Sequence, residues 1–171
     1  DAGGTKRIGY IDELGEQGIW VEPEPSDDIT SVESPIVWNM DGVWHLAYAE
    51  YKDEQSTIVE RTSVDGDTWS EATALLEPHD DWANVAVEPT DWLILEGVPT
   101  LVYAGFDDST WSLGIAQWDG STWTTGSLPW FDLGRPGSWD DSGIRDAKLH
   151  TEDTGYRIWY SGFDGEQWRI G

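Results

Sequence analysis

Leu46-Ala47-Tyr48-Ala49-Glu50-Tyr51-Lys52-Asp53 comes back twice along the chain. It returns as Leu101-Val102-Tyr103-Ala104-Gly105-Phe106-Asp107-Asp108 and as Ile158-Trp159-Tyr160-Ser161-Gly162-Phe163-Asp164-Gly165. The copies start 55 and then 57 residues apart. Recurrence at such a period marks one supersecondary unit stacked several times. Repeats of this length leave no room for an independent second fold, so the 171 residues read as a single domain.

Around each copy the pattern is that of strands. Ile36-Val37-Trp38 runs to Asp41-Gly42, and Val43-Trp44-His45-Leu46-Ala47-Tyr48 follows. After a polar loop come Thr57-Ile58-Val59-Glu60-Arg61-Thr62, then Asp65-Gly66, then Trp69. Asp-Gly between apolar runs signals a hairpin, because type I′ turns need positive φ at both central residues. The second unit repeats the scheme through Leu93-Ile94-Leu95, Glu96-Gly97, Thr100 to Tyr103, Leu113 to Ala116, Asp119-Gly120 and Trp123. No window sustains a 3.6-residue period, and Glu71 to Leu76 is too short for a convincing helix. Four short antiparallel strands per unit predict an all-β chain, a β-propeller of three four-stranded blade units. The units span approximately 31–78, 85–127 and 143–171, the last completed by 5–23. A β-sandwich with an internal echo is the alternative. Eight aligned positions recurring three times weigh against it.

The third unit stops at Trp168-Arg169-Ile170-Gly171, inside its third strand. The chain begins with Lys6-Arg7-Ile8-Gly9-Tyr10-Ile11 and then Ile19-Trp20-Val21, the missing half of a blade. Gly9 and Gly171 look equivalent, 162 residues apart. The N-terminal strands are therefore expected to close the C-terminal blade, within one chain or between two chains. Closure would remove exposed sheet edges. Between two chains it would make a homodimer that completes a larger ring. A fragment of a longer propeller is the other arrangement.

The chain carries 34 acidic residues against 9 basic ones, a formal net charge of −25. Such self-repulsion is relieved by screening, and adaptation to high salt is the plain reading. A surface loaded with Ca²⁺ or another cation is the rival reading, and no motif requires a cofactor. Thirteen Trp and six Tyr supply ample apolar area, which speaks against disorder. The charge argues against nucleic acid and anionic membranes as partners. No apolar run reaches bilayer length, and the absence of cysteine excludes disulfides and thiolate metal sites.

In a propeller the first strand of each blade lines the central channel. The three inner strands open with Glu33-Ser34-Pro35-Ile36, with Glu88-Pro89-Thr90 and with Ile144-Arg145-Asp146-Ala147. Glu33, Glu88 and Asp146 thus fall at roughly the same place in each unit and are expected to converge. Like charges held close push their pKa values apart, which readies one carboxyl as acid and another as base. Paired carboxylates are the equipment of glycoside hydrolysis. Salt adaptation alone also yields aligned carboxylates in so acidic a chain. Arg145 is scarcer, and stands ready to pair with the neighbouring carboxylate.

The stretch Trp139-Asp140-Asp141-Ser142-Gly143-Ile144-Arg145-Asp146-Ala147-Lys148, running on to Tyr156-Arg157-Ile158-Trp159-Tyr160-Ser161-Gly162, resembles the five-bladed glycoside hydrolases. That superfamily includes arabinanases and xylosidases, invertases and mannoside phosphorylases. Arg7-Ile8-Gly9-Tyr10, Asp65-Gly66-Asp67-Thr68-Trp69 and Asp119-Gly120-Ser121-Thr122-Trp123 also resemble its blade pattern. The resemblance implies a glycan or small sugar as partner and a carbohydrate-active, glycoside hydrolase-like chain. It implies Asp146 as the transition-state-stabilising aspartate and Glu88 as general acid, with Glu33 the alternative. Ala147 departs from the family's proline, and no obvious aspartate base is present. A non-catalytic sugar-binding or assembly module, or a fragment with no activity of its own, is the competing class of reading.

Exposed indole faces stack on sugar rings. Trp130 and Trp139 flank Pro129, Gly134, Pro136 and Gly137 in a long loop, and with Trp92 they are the candidate ligand platforms beside Arg145. Trp69 and Trp123 recur at one place per blade and read as packing. His45 and His150 read as structural, and His79-Asp80-Asp81 as an exposed acidic loop. No zinc spacing, phosphate-cradling glycine loop or serine elbow is present.

Overall fold

The computed structural model describes residues 5–11, 13–23, 28–153 and 155–171. The described residues contain strands and turns and no helix. Strands β1 (Ile8–Ile11) and β2 (Gln17–Val21) form a two-stranded hairpin. The first full blade is β3 (Ser31–Met40), β4 (Val43–Lys52), β5 (Gln55–Ser63) and β6 (Thr73–Leu76). The second is β7 (Ala86–Leu95), β8 (Val98–Phe106), β9 (Trp111–Trp118) and β10 (Trp123–Thr125). The third has three strands, β11 (Gly143–Glu152), β12 (Gly155–Phe163) and β13 (Trp168–Ile170). All pairings within a blade are antiparallel. A single parallel bridge, Ser56 to Ala86, ties β5 to β7 and joins the first two blades into one eight-stranded sheet.

The turn residues explain the hairpins. Asp41 and Gly42 both have positive φ (53° and 85°), as do Glu96 and Gly97 (52° and 84°), so both hairpins are built as type I′ turns require. Asp65-Gly66 differs from the sequence expectation. Gly66 alone has positive φ there, and the Asp65 carboxylate makes the turn by accepting the backbone N–H groups of Asp67 (2.9 Å) and Thr68 (2.8 Å). Asp107, Asp119 and Asp164 do the same for Ser109 and Thr110, for Ser121 and Thr122, and for Glu166 and Gln167. Each of the four aspartates is followed four residues later by a Trp. Part of the acidic excess is thus turn chemistry.

Side chains alternate across each blade, and the cores lie in the seams between blades. Ile8 and Val21 of the hairpin pack with Val32, Leu46, Tyr48 and Val59 of the first blade. Ile36, Trp38, Ala47 and Ile58 pack with Val87, Leu101, Tyr103 and Ala116 of the second. Val102, Ala104 and Leu113 pack with Ile144 and Ala147 of the third. Trp69 and Trp123 pack at the margins of these clusters. β3 lies beside β7, and β7 beside β11, so the first strands of the blades are the innermost.

The hairpin β1–β2 hydrogen-bonds within itself, and β13 has β12 as its pairing partner. Of the two expected modes of closing the C-terminal blade, the one within a single chain is not made among the described residues, where β1–β2 packs on the first blade. Among the described residues nothing covers the far face of the third blade. Trp159 holds the place of the fully buried Ala47 and Val102 and is 42% exposed. Ile170 holds the place of Ile8 and is 83% exposed, against 4% for Ile8.

Candidate functional site

Each inner strand bends at a β-bulge near its start. The irregularities fall between Glu33 and Ile36, between Pro89 and Asp91, and between Arg145 and Lys148. Ser34 and Asp146 take the left-handed conformation there (both φ 54°). Bulges re-aim side chains and are common beside functional sites.

The register revises the sequence alignment by one residue. Glu33 lies opposite Ala49 and Glu88 opposite Ala104, whereas Arg145 lies opposite Ser161. Arg145, not Asp146, therefore occupies the glutamate position of the third blade. Asp146 matches Ser34 and Pro89. An alignment anchored on charge missed this, because it matched acid to acid where the repeat spacing of 57 residues leads to the neighbouring arginine.

Glu88 is the best-constrained of the proposed acids. It is 7% exposed, and its two oxygens accept hydroxyl bonds from across the first seam. Ser34 Oγ donates to Oε2 at 2.8 Å, and the Tyr51 hydroxyl donates to Oε1. Burial, followed by the Glu88 charge, pushes the Tyr51 phenol far above its ordinary range, so Tyr51 stays a donor. Glu33 lies near enough for its charge to act on the same phenol. Glu33 itself accepts from Lys6 Nζ at 2.6 Å and Ser31 Oγ at 2.9 Å. It borders an open cleft of about 450 Å³ with Lys6, Arg7 and Ser34.

The repeats explain why this cluster forms at one seam alone. Phe106 faces Trp111 and Phe163 faces Trp168, stacked at 4.9 Å in both blades. The equivalent pair in the first blade is Tyr51 and Ser56. Ser56 leaves the space that an indole fills elsewhere. Its Oγ donates to Val87 O at 2.8 Å and accepts from Val87 N at 3.0 Å. That contact docks β7 against β5 and delivers Glu88 to the Tyr51 hydroxyl. Sequence reasoning passed over Tyr51, Ser34 and Ser56, although a Tyr-for-Phe and a Ser-for-Trp exchange at repeat positions were visible.

At the second seam the same places carry different chemistry. The Arg145 guanidinium lies over the Trp168 ring at 4.9 Å and over Trp111 at 5.8 Å, within cation–π range. Its Nε donates to Asp146 at 3.2 Å. Asp146 is half-exposed, and no hydrogen bond or ion pair among the described residues links it to Glu33 or Glu88. Lys148 Nζ donates to Thr90 O, and Leu149 N donates to Asp91 at 2.8 Å, tying β11 to the bulge of β7.

The aromatic candidates separate. Trp92 is partly buried, stacking on Trp38 at 5.6 Å against the first-seam core with its Nε1 shielded, which is a packing contact. Trp139 stacks on Tyr160 at 5.2 Å, next to Asp140, which accepts from the Tyr160 hydroxyl at 2.6 Å. Burial and that carboxylate push the Tyr160 phenol up to about 12. Trp130 is 39% exposed on the outer edge of the second blade, away from the inner strands. Among the described residues no three His, Asp or Glu side chains gather closely enough to hold a metal ion. His79 is held by Glu77 O and by the Tyr103 hydroxyl, both at 2.9 Å.

No family model and no curated protein sequence matches the chain. Solved structures do. An α-L-arabinofuranosidase from Lactobacillus brevis superposes with a TM-score of 0.67 at 18% identity, over 91% of this chain and 53% of that one. A family 117 glycoside hydrolase from Zobellia galactanivorans gives 0.66 at 18%, over 82% and 50%. A β-1,2-mannobiose phosphorylase from Listeria innocua gives 0.64 at 16%, over 92% and 45%. The chain spans about half the length of these structures. Its all-β architecture is that of the glycoside hydrolase propellers.

Proposed function

We propose that the chain is carbohydrate-active and glycoside hydrolase-like, acting on or binding a glycan through carboxylates at the inner strands. The observation that carries this reading is Glu88. A shielded carboxylate at the start of an inner strand is fixed by two hydroxyls from the neighbouring blade. Ordinary packing does not call for such a group, since a buried acid is costly unless it is fully bonded. Glu33 supplies a second carboxylate on the neighbouring inner strand β3, beside a cleft toward the N-terminal hairpin that holds two of the chain's nine basic residues. In glycosidic cleavage one carboxyl protonates the leaving oxygen and the other serves as nucleophile or activates water, with their separation setting the stereochemistry. Glu88 and Glu33 are the pair proposed for those roles. Asp146 and Arg145 form a second pair on the far side of β7. The fold shared with glycoside hydrolases supports the ligand class.

The test compares Glu88→Gln, Glu33→Gln and Asp146→Asn with the unchanged chain on aryl glycosides and on soluble glycans. Turnover lost in Glu88→Gln with binding retained supports catalysis. Binding without turnover in any variant selects the sugar-binding module. Neither binding nor turnover removes the proposal.

Assembly is a second reading, carried by the bare face at Trp159 and Ile170. There a second copy would complete a larger ring.

A further inference from the structure

The outer edge of the second blade is interrupted. β10 covers β9 only along Ala116 to Trp118. Farther back the long loop takes over: Trp130 N donates to Leu113 O at 2.8 Å, and Phe131 bridges to Leu113. Between the two covers lies a notch of about 330 Å³, lined by Ile115, Gln117, Thr124, Thr125, Leu128 and Trp130. Its size sits at the low end of ligand sites, which run from about 300 to 1,000 Å³.

No side chain lining this notch is charged. Four other surface clefts each contain at least one carboxylate. In a chain of net charge −25, a cleft free of charge is the exception. An anion finds no counter-charge in it, and a cation finds no carboxylate. What it offers is an indole wall, the Thr124 hydroxyl, which donates to Gln117 O at 3.2 Å and keeps its acceptor side, and the Gln117 primary amide, which can both donate and accept. A flat ring with an apolar C–H face and equatorial hydroxyls uses all of these. The platform is rigid. Trp130 is pinned through its backbone and its ring leans on Phe131 (6.4 Å), which in turn meets the edge of Tyr160 (5.3 Å). Pre-organised aromatic surface loses little entropy on binding.

We infer that this notch is a peripheral binding site for a neutral pyranose unit, distinct from the inner-strand carboxylates. It lies on the outer strands β9 and β10, whereas Glu88 lies on the inner strand β7, so it stands independently of the catalytic reading.

The experiment labels the tryptophans with ¹⁵N and follows their indole N–H resonances in the whole chain. Xylotetraose, mannotetraose and cellotetraose are the neutral pyranose probes, and tetragalacturonate is the charged comparator. The Trp130 resonance is expected to shift saturably with at least one neutral probe and to stay fixed with the charged one. Trp130→Ala should weaken binding about tenfold, the worth of one good aromatic contact. Glu88→Gln should leave it unchanged. If Trp130→Ala does not fold, Trp130→Phe and Gln117→Ala take its place, with partial and marked weakening expected. A Trp130 resonance indifferent to every neutral probe overturns the inference. So does binding that is lost in Glu88→Gln and kept in Trp130→Ala, which would locate the sugar at the inner strands.

Discussion

Tyr51 on β4 donates its hydroxyl to Glu88 on β7, crossing from one blade to the next. Removing that hydroxyl leaves one oxygen of a buried carboxylate unsatisfied. Tyr51→Phe should therefore destabilise the chain by about 1–3 kcal/mol, more than an exposed hydroxyl deletion. Paired with Glu88→Gln in a double-mutant cycle, it should show a coupling of about 0.5–3 kcal/mol in urea denaturation. Additive effects would mean that the contact contributes nothing.

The turn aspartates set an acid limit. Bonds from the Thr68 and Asp67 backbone, then from Ser63, hold Asp65 at about 2, below the ordinary 3.8. Asp164 is likewise held at about 2, chiefly by Arg169 and then by the Gln167 and Glu166 backbone. A depressed folded value means the stabilisation is complete above the unfolded value and fades as pH falls from about 3.8 to about 2. Asp65→Asn should flatten the loss of stability over that interval, as read by thermal midpoints against pH. An unchanged acid limb would show the turn bonds to be irrelevant.

Salt should act in the opposite sense to an ordinary ion-paired protein. At net charge −25 repulsion outweighs attraction, and screening shortens from about 10 Å at 0.1 M to about 3 Å at 1 M. The urea midpoint is expected to rise with KCl across that range. A falling midpoint would remove salt adaptation as the reason for the composition.

Gly105 marks how closely β8 meets the loop before β7. A Cβ there would stand 2.5 Å from Ala83 Cβ and 2.7 Å from the Trp82 ring. Gly105→Ala should cost about 1–3 kcal/mol through overpacking, against a negligible cost for Ser127→Ala on an exposed bend. Equal midpoints for the two variants would show that the seam yields.

The bare face of the third blade predicts association. Sedimentation of the isolated chain should show a dimer that Trp159→Glu or Ile170→Glu converts to monomer. A monomer at every concentration in the unchanged chain counts against a second copy as the cover.

Most of the architecture was legible in the sequence because the repeat is carried by buried residues. Leu46, Leu101 and Ile158 each face the seam before their blade, while Ala47 and Val102 face the seam after it and Trp159 takes that place on the uncovered third blade, at near-equal spacing. The hairpins were legible wherever two residues needed positive φ, and less so at Asp65, where a side chain does the turning. The site was read less well. The 57-residue spacing leads from Glu88 to Arg145, but a match of acid to acid preferred Asp146, and only the strand register decides between the two neighbours. Trp92 was read as a sugar platform from its place between units. Its stacking on Trp38 depends on the approach of β3 to β7, which no local pattern records.

Ser56 and Trp111 hold one position in successive repeats, and each dictates what the adjoining junction can host. A small hydroxyl admits a carboxylate from the next leaf of the structure, whereas an indole admits a guanidinium. Function in such an architecture is thus addressed by single gatekeeping sites, duplicated with the scaffold and free to diverge one at a time. Redesign could exploit this. Phe106→Tyr with Trp111→Ser would offer the acid-accepting socket to whatever side chain stands at 145, and that residue could then be chosen at will.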